Sequence, residues 1–572
     1  MTSSSIERFP FDKRVLKGLS DTNPRLENWP VVYTIDNDKS IYVGETTNAR
    51  VRMQQHLESP TKQGLKRIRV IINEEFNKSV CLDLESHLIR YLAADEKYEV
   101  INGNHGISDA DYFERSRYRE DFDEIFKQLF EQGVLTRSIP DIVNSNLFKY
   151  SPYKALNTDQ AAAVEEILER LFQTWNAPSD VPMVVQGDPG TGKTIVAIYL
   201  VKLLADIANS ISEDALESDS LFADFFQPGY KEIIGSPHIG LVIPQQSLRK
   251  TVQKVFAKTP GLDKNWVISP FDLNTRDAYD LLIVDESHRL GQRANQPSAA
   301  QNKKFTTNNL ALFGNDDSSW TQLDWVRAAS RHQLLLIDAA QSVKPGDLPL
   351  KQVEFLIRES RSENVLFRLH SQMRVVGGND YIDFVRRLLN LEQIESLDFG
   401  KYDFRIFNDF SEMRDAIMAK DEAFGLSRLV AGYAWPWASR NDKTATDIEI
   451  DGIQMQWNQT PVDWINSPNS VNEVGSIHTV QGYDLNYAGV IIGPDLSFND
   501  ATGQLVFNRD SYFDTKGKEN NPRLGVTYSD EDLLEFVKNI YRVLLTRGIK
   551  GTYVFIHDSA LRSRITQMIS WQ

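Results

Sequence analysis

The chain has 572 residues, of which 41% are hydrophobic and 25% charged, the balance of a soluble globular protein with several domains. Sixty-three basic against seventy-nine acidic residues give a net charge of −16, which argues against a protein that merely coats nucleic acid. The single cysteine, Cys81, excludes internal disulfides and cysteine-rich zinc sites.

The first eight residues lack the apolar core of a signal peptide. Elsewhere no apolar run approaches the roughly 20 residues of a membrane span. We therefore expect a cytoplasmic protein without a membrane partner.

Residues 29–105 predict a small unit of short strands and helices. The runs VVY and YVG indicate two strands, and Asp36-Asn37-Asp38 between them supplies the turn of a hairpin. On the helix that follows, Arg52 and His56 lie one turn apart, so both face the same side.

This segment resembles the GIY-YIG nuclease module, with VVY in place of the first half of its motif and YVG in place of the second. The resemblance implies a magnesium-dependent endonuclease. It puts a metal ligand at Glu85, on a helix over residues 82–95, and a late asparagine at Asn102, with Asn104 near enough to compete. The catalytic set that it implies is Tyr33, Tyr42, Arg52, His56, Glu85 and Asn102.

These residue types suit the cleavage of a phosphodiester. A carboxylate can hold Mg²⁺, a phenol or imidazole can position or deprotonate water, and a guanidinium can neutralise the phosphorane charge. The residues leave one alternative open, a binding module without cleavage in which Tyr33 and Tyr42 only stabilise a hairpin.

Residues 109–154 predict a helical linker, because charged and apolar side chains alternate there at helical spacing. From residue 155 onward, short apolar runs recur with helical stretches between most of them, at residues 182–186, 240–244, 280–286, 333–339, 427–434, 487–493 and 551–556. Buried strands that alternate with helices are typical of parallel sheets covered on both faces. Residues 207–235 and 497–530 are polar and indicate surface insertions.

The sequence GDPGTGKT, residues 187–194, fits the phosphate-loop pattern G-x-x-x-x-G-K-[ST] and lies between a predicted strand and a predicted helix. Glycines let backbone N–H groups approach phosphate oxygens, Lys193 can reach the β- and γ-phosphates, and Thr194 can bind Mg²⁺. The expected nucleotide-binding residues are Gly187, Asp188, Pro189, Gly190, Thr191, Gly192, Lys193 and Thr194.

An acidic pair ends another predicted strand, in LLIVDESH. Asp285 can hold the magnesium, and Glu286 can orient and deprotonate the attacking water. Together with the phosphate loop, this pair predicts a nucleoside triphosphatase.

The order of motifs over residues 155–572 resembles a superfamily 1 helicase, most closely the helicase-like module related to the Schlafen proteins. The resemblance implies two RecA-like lobes that close on ATP and Mg²⁺. It also implies roles for Gln160 (adenine recognition), Asp338 and Gln341 (motif III), Arg374 (γ-phosphate ligand), Gly482 (motif V) and Arg547 (arginine finger of motif VI). Two residues depart from the family pattern, Ile337 before the motif III aspartate and Asp484 in place of the motif V glutamate.

We therefore expect an α/β protein with a small α+β GIY-YIG-like domain at residues 1–108, a helical linker at 109–154, and RecA-like parallel-sheet lobes at 155–360 and 361–572. The expected function is an ATP-dependent nucleic-acid translocase or helicase with an N-terminal endonuclease, acting in prokaryotic defence against foreign DNA. DNA is favoured over RNA as the partner, and a second copy of the chain or a protein of a defence system is a further candidate. The alternative is an ATP-gated sensor or assembly ATPase that licenses the nuclease without processive unwinding.

Overall fold

The structure is a computed structural model. It describes residues 4–17, 23–102, 112–154, 156–210, 222–227, 229–293, 296, 298–338, 345–372, 374–394, 398–460, 464–480, 483–521 and 525–569. The chain divides into two compact units. One comprises Met1–Glu165, Ile198–Ser236 and Val252–Asn265, and the other Glu166–Ala197, Pro237–Thr251 and Trp266–Gln572.

The first unit contains a mostly antiparallel sheet with strand order β1-β4-β2-β3-β5. Its strands are β1 Ser5–Pro10, β2 Val31–Asp36, β3 Ser40–Thr46, β4 Arg67–Ile72 and β5 Glu99–Val100. The predicted hairpin is confirmed as β2–β3, and the Asn37 side chain closes its turn by accepting from the backbone N–H groups of Lys39 and Ser40. Strand β1 lies within the predicted domain, residues 1–108, but before residues 29–105, where the sequence predicts its strands and helices.

Helices cover both faces of this sheet, and asparagines begin two of them. Asn48 caps the helix Ala49–Glu58, and Asn77 caps the helix Lys78–Asp95, each by accepting a backbone N–H from its first turn. The remaining helices that lie wholly in this unit are Lys13–Lys17, Arg115–Glu131, Ile139–Asn144, Asn146–Lys149 and Tyr230–Ile234. Phe122 and Phe126 of the predicted linker join the buried core around Leu84 and Leu88, so the linker helix is part of the folded unit.

The second unit contains two parallel sheets. One has strand order β11-β6-β10-β9-β7-β8 and the other β12-β20-β17-β13-β16. The strands of the first are β6 Met183–Gly187, β7 Ile239–Val242, β8 Val267–Ile268, β9 Tyr279–Val284, β10 Ser330–Ile337 and β11 Leu366–Leu369. Those of the second are β12 Asp403–Phe407, β13 Ser427–Ala431, β16 Val474–Ser476, β17 Leu485–Ile492 and β20 Gly548–Ile556. Their buried apolar runs confirm the parallel-sheet prediction.

The helices of this unit are Ala299–Phe313, Gln322–Ala329, Leu350–Ser362, Gly378–Leu389, Phe410–Phe424, Ile477–Val480, Asp530–Leu545 and Ser559–Met568. The helices Thr158–Thr174, Lys193–Asn209 and Gln246–Lys258 each contribute residues to both units. Two hairpins are added, β14 Ile448–Ile450 with β15 Ile453–Met455, and β18 Leu496–Asn499 with β19 Gln504–Phe507. The second hairpin lies in the stretch that the sequence predicts to be a surface insertion.

Three neighbouring strands place the predicted nucleotide motifs at one edge of a sheet. Strand β10 lies between β6 and β9, with Ile337 paired to Gln186 and Leu335 paired to Val284. The phosphate loop, the acidic pair and Asp338 each follow the carboxyl end of one of these strands. Parallel strands end at the same edge, which is where ligands bind in open α/β sheets.

Candidate active sites

Tyr33 and Gly44 face each other across the β2–β3 hairpin and form the floor of the first site. Tyr33 is fully buried, and a Cβ atom on Gly44 would lie 2.3 Å from its Oη. A side chain at position 44 would therefore overlap the phenol. The glycine of YVG is required here by close approach, not by backbone conformation.

His56 contacts Tyr33 from the helix that follows the hairpin. Its Nε2 lies 2.7 Å from Tyr33 Oη, and its Nδ1 lies 2.8 Å from Lys62 Nζ. Tyr42 completes the cluster. The centroid of its ring lies 5.1 Å from the centroid of the His56 imidazole and 4.2 Å from Lys62 Nζ. Burial, Lys62 and Arg52 together lower the pKa of His56 to about 2, so the imidazole is neutral.

Arg52, one helical turn before His56, lies beside Tyr33. It is half-buried, and its Nη1 donates to Gln55 at 3.2 Å. Burial and Tyr42 raise the pKa of Tyr33, whereas Arg52 opposes that pKa shift through its charge and a hydrogen bond. The guanidinium therefore favours the phenolate form of Tyr33.

Glu85 carries a perturbed carboxylate on the helix Lys78–Asp95. Burial and the nearby carboxylate of Glu45 raise its pKa to about 8, and Lys78 and Arg52 counteract part of that pKa shift. Glu45 itself is paired with Lys78. Glu45 thus destabilises the ionised form of Glu85, and a divalent cation such as Mg²⁺ at Glu85 would offset that repulsion.

Asn102 has a structural contact in this arrangement. Its Oδ1 accepts the backbone N–H of Val43 at 3.0 Å, and its Nδ2 donates to the Val43 carbonyl at 2.7 Å. The side chain thus acts as a strand partner for the segment between Tyr42 and Gly44. Asn104, the alternative, lies outside the described residues.

The phosphate loop of the second site has the conformation that its glycines predict. Gly190 and Gly192 have φ values of +88° and +82°, in the region that favours glycine. Thr191 Oγ1 donates to the Asp188 carbonyl at 2.9 Å, and Lys193 Nζ donates to the Gly187 carbonyl at 2.6 Å. The lysine therefore lies inside the loop, where its ammonium can turn to a phosphate.

The acidic pair meets the loop through a hydrogen bond. Thr194 Oγ1 donates to Asp285 Oδ2 at 2.8 Å, and Asp285 is fully buried. Burial and Glu286 raise the pKa of Asp285, and Thr194 and Lys193 offset part of that pKa increase. A hydroxyl and a carboxylate side by side are oxygen ligands that Mg²⁺ accepts, so these residues fit the ion.

Glu286 is held in place by His288, a residue outside the set predicted from the sequence. Its backbone is left-handed, with φ of +49°, and His288 Nε2 lies 3.0 Å from Glu286 Oε2. On its other side, His288 Nδ1 accepts the backbone N–H of Asp338 at 3.3 Å, which fixes the ring between Asp338 and Glu286. Burial raises the pKa of Glu286, but His288, Lys193 and Arg289 together outweigh burial and lower that pKa.

Charged groups gather around the loop. Asp338 Oδ2 lies 3.6 Å from Lys193 Nζ. Burial and Asp338 raise the pKa of Asp188, and Lys193 and Arg542 lower that pKa. Burial lowers the pKa of Arg542, while Asp338 and Asp188 raise that pKa. Nε of Arg542 has no hydrogen-bond partner among the described residues. Arg542 is thus a half-buried arginine that interacts electrostatically with Asp188 of the phosphate loop and with Asp338, and the resemblance assigns it no role.

Arg374, the predicted γ-phosphate ligand, and its neighbour Gln372 also meet the loop. Gln372 donates to the Pro189 carbonyl, and a Cβ on Gly190 would lie 2.9 Å from Arg374 Cβ. The guanidinium of Arg374 forms an ion pair with Asp484, with Nε and Oδ1 2.5 Å apart. The aspartate that departs from the motif V pattern therefore binds the arginine predicted to meet the γ-phosphate.

Arg547 lies in a different environment. It is only 2% exposed, and its guanidinium donates to the carbonyls of Val543 and Tyr483, both at 3.3 Å. Gln160 is also buried, and its side chain accepts the backbone N–H of Asn157 at 3.2 Å. Two further predicted residues, Gln341 and Gly482, lie outside the described residues.

Lys62, His288 and Arg542 are among the residues of these sites that lie outside the predicted set, as are Glu45 and Lys78 beside Glu85. The histidine follows the acidic pair directly, so the pattern DESH contains a signal for it. Arg542 lies five residues before the predicted arginine finger, in the same motif. Nothing local distinguishes Lys62 from other lysines of the basic stretch around it.

Two family profiles match this chain. The one described as "Schlafen group 3, DNA/RNA helicase domain" matches residues 181–558, and the one described as "GIY-YIG catalytic domain" matches residues 30–99. Within the described ranges, every helix is too short or too polar to cross a bilayer.

Curated relatives are distant. The uncharacterized protein YPL245W of Saccharomyces cerevisiae is 26% identical over 445 residues, which cover 72% of this chain and 91% of that protein. Replication factor C small subunit 2 of Pyrobaculum aerophilum is 25% identical over 161 residues, 28% of this chain and 42% of that protein.

Similar solved structures include a Pif1 helicase on forked double-stranded DNA, with a TM-score of 0.26 and 10% identity over 72% of this chain and 94% of that one. The helicase MrfA bound to DNA and AMPPNP has a TM-score of 0.28 and 8% identity, over 74% of this chain and 51% of that one.

Proposed function

Since the chain belongs to the Schlafen group 3 DNA/RNA helicase-domain family and carries a GIY-YIG catalytic domain before it, we propose that it is an ATP-hydrolysing nucleic-acid motor fused to a magnesium-dependent endonuclease. The observation that carries the first half is the contact between Thr194 and Asp285 at the mouth of the phosphate loop. The observation that carries the second is the Tyr33–His56 hydrogen bond beside the perturbed carboxylate of Glu85.

In the ATPase site, Thr194 and Asp285 would hold Mg²⁺, which when bound screens the phosphate charge. The ammonium of Lys193 leaves the Gly187 carbonyl to bind the β- and γ-phosphates. Glu286, oriented by His288, takes the proton of the attacking water.

A second-lobe cation completes this site. An arginine that meets the γ-phosphate in the transition state contributes roughly 10³–10⁵ in rate. Arg542 is the motif VI arginine that lies among the charges of the loop, so we propose it for this role ahead of Arg547. We propose that Arg374 also binds the γ-phosphate, once its ion pair with Asp484 is broken.

In the nuclease site, Glu85 would hold Mg²⁺, which when bound polarises the scissile phosphate. Arg52 then neutralises charge on the phosphorane, and the Tyr33–His56 pair positions the water. DNA is proposed as the substrate ahead of RNA.

The first test is cleavage of labelled single- and double-stranded DNA and RNA with Mg²⁺, in the presence of ATP, a non-hydrolysable analogue or no nucleotide. Glu85→Gln should abolish cleavage, and the matched control Glu58→Gln, on an exposed side chain of the neighbouring helix, should not. Cleavage by purified Glu85→Gln at the wild-type rate would refute the assignment of Glu85.

The second test is ATP hydrolysis with and without nucleic acid. Lys193→Ala should remove turnover, whereas Lys351→Ala, which removes an exposed lysine from the helix Leu350–Ser362, should leave it unchanged. A wild-type chain that hydrolyses no ATP on any nucleic acid would overturn the motor.

The Arg374–Asp484 ion pair favours the second candidate function, an ATP-gated sensor that licenses the nuclease. An arginine bound to a carboxylate must exchange that partner for the γ-phosphate, and the exchange reports nucleotide binding without requiring movement along a strand. Displacement of a strand from a tailed duplex supports the motor. ATP-dependent cleavage without displacement supports the sensor.

We further propose that the protein acts in prokaryotic defence against foreign DNA. It would do so in the cytoplasm, with a second copy of the chain or a protein of a defence system as its partner. Phage plating on strains with Lys193→Ala or Glu85→Gln tests it. Equal plating on wild-type and both variant strains would remove the defence role and leave the two enzymatic proposals standing.

A further inference from the structure

Lys62 is brought to His56 by a short turn after the helix Ala49–Glu58. Ser59 N donates to the His56 carbonyl at 3.3 Å, and a 3₁₀ turn, Pro60–Lys62, begins with proline. Proline is favoured at the start of a helical turn because its φ is preset and its missing N–H is not needed there. The chain therefore folds back, and a residue six positions after His56 reaches its ring.

We infer that Lys62 is a positioning residue of the nuclease site, one that makes His56 a hydrogen-bond donor to Tyr33 instead of a proton acceptor. The inference rests on the proposed nuclease function and goes beyond it, because it assigns the direction of the hydrogen bonds. Nothing in the sequence pattern of the module calls for a lysine at this place.

The donors available at the two contacts fix where the imidazole proton lies. An ammonium group has three N–H donors and no acceptor, so a contact of 2.8 Å between Lys62 Nζ and His56 Nδ1 requires Nδ1 to be the acceptor. In a neutral imidazole the proton is then on Nε2. Nε2 lies 2.7 Å from Tyr33 Oη, so the imidazole donates to the phenol oxygen.

The surroundings of His56 also disfavour a charged ring. A doubly protonated imidazole cannot accept from Lys62. The groups that face His56 are Lys62 and Arg52, which are cationic, and Tyr33 and Tyr42. The imidazole itself is 1% exposed, and burial beside two cations keeps its pKa low.

These contacts limit what His56 can do in the reaction. Both of its nitrogens are committed, Nδ1 to Lys62 and Nε2 to Tyr33, so His56 has no lone pair for the proton of water. Tyr33 Oη receives hydrogen bonds from His56 and from Arg52, and the hydroxyl proton of Tyr33 has to point elsewhere. Lys62 also lies 4.2 Å from the centre of the Tyr42 ring, which holds the ammonium in position.

The direct test is the protonation of His56 in the full-length chain. Nitrogen NMR of histidine-labelled protein, with His56 assigned by the loss of its signals in His56→Gln, distinguishes the two tautomers. We expect a protonated Nε2 and a bare Nδ1 in the wild type, and a mixture of both tautomers in Lys62→Met. A protonated Nδ1 in the wild type would overturn the inference, whether or not the protein cuts nucleic acid.

The functional test separates positioning from phosphate binding. Under single-turnover conditions, on the nucleic acid that the wild type cuts, Lys62→Met should lower the maximal rate about 10²-fold, a typical contribution of a proton-directing group. The substrate concentration for half-maximal rate should change less than about twofold, because Lys62 is assigned here to His56 and not to the substrate. Lys62→Arg, which keeps the donor, should recover much of the rate.

The control is Lys66→Met, which removes an exposed lysine four residues away and should leave the maximal rate unchanged. An effect of Lys62→Met on half-saturation alone would make Lys62 a phosphate ligand and refute the inference. A wild type that cuts nothing would instead refute the nuclease proposal, and the NMR result would still decide the contact. If Lys62→Met fails to fold, full activity of a folded Lys62→Arg supports the inference, and its complete inactivity refutes it.

Discussion

Gly44→Ala is the substitution whose consequence the structure defines most closely. The new Cβ would lie 2.3 Å from Tyr33 Oη and 2.4 Å from Tyr33 Cζ. Ordinary contacts between heavy atoms begin near about 3.5 Å. The phenol must therefore retreat by about 1 Å, and it lies on the central strand β2, where it is fully buried.

The magnitude follows from this displacement. The hydrogen bond between Tyr33 and His56, now 2.7 Å, would lengthen beyond the limit of about 3.5 Å. A misplacement of about 1 Å in a catalytic constellation costs about 10²-fold in rate, and overpacking costs about 1–3 kcal/mol in the free energy of unfolding. We expect both losses in Gly44→Ala.

The assay is single-turnover cleavage together with thermal unfolding. Tyr33→Phe is the matched control, because it removes the same hydrogen bond without adding an atom. It should lose a similar rate with a smaller loss of stability. A Gly44→Ala chain that cuts at the wild-type rate and unfolds at the wild-type temperature would refute the reasoning.

Four further predictions concern single residues of the two sites. Lys193→Ala should abolish ATP hydrolysis while leaving the circular dichroism spectrum unchanged; measurable turnover would contradict the phosphate-loop assignment. Arg542→Ala should slow ATP hydrolysis by about 10³-fold or more while ATP binding is retained. Arg547→Ala should chiefly lower the unfolding temperature, because the Arg547 guanidinium is bound to backbone carbonyls. The reverse pattern would restore Arg547 as the arginine finger. His288→Ala should lower turnover by about 10–100-fold, the usual cost of losing a group that orients a catalytic side chain, with the Michaelis constant for ATP unchanged as the check. The pKa of Glu85 is about 8, so its carboxyl is protonated at neutral pH and must release its proton to bind Mg²⁺. The cleavage rate at limiting Mg²⁺ should therefore rise between about pH 6 and pH 8, and this pH dependence should flatten at saturating Mg²⁺. A cleavage rate independent of pH at limiting Mg²⁺ would count against that pKa.

Local patterns predict most of the fold. The apolar runs at residues 280–286 and 333–339 become β9 and β10, because buried parallel strands need little beyond a run of apolar residues. The phosphate loop is similarly local, since its glycines and flanking elements are contiguous in sequence. Strand β1 could not be predicted in this way, because it forms only by pairing with β4, which lies more than fifty residues away.

The sites show the same division. Spacing on one helix predicts that Arg52 and His56 share a face, and both lie against Tyr33. The contrast between Arg542 and Arg547 depends instead on where a helix ends. Arg542 is in the last turn of Asp530–Leu545, and Arg547 follows the end of that helix, so the two side chains leave in different directions. A motif gives their spacing but not the residue at which the helix stops.

The two hydrogen bonds of Asn102 bear on where the nuclease can be separated from the rest of the chain. The family profile stops at residue 99, yet the strand that carries Tyr42 is completed by a side chain three residues later. The buried core continues past Phe122 and Phe126 to Ile142 and Tyr153. A fragment cut at the profile boundary would keep Tyr33, Arg52, His56 and Glu85 but would expose an unpaired strand edge and a bare apolar helix. An excised nuclease should therefore extend at least through Tyr153 if it is to fold and act alone.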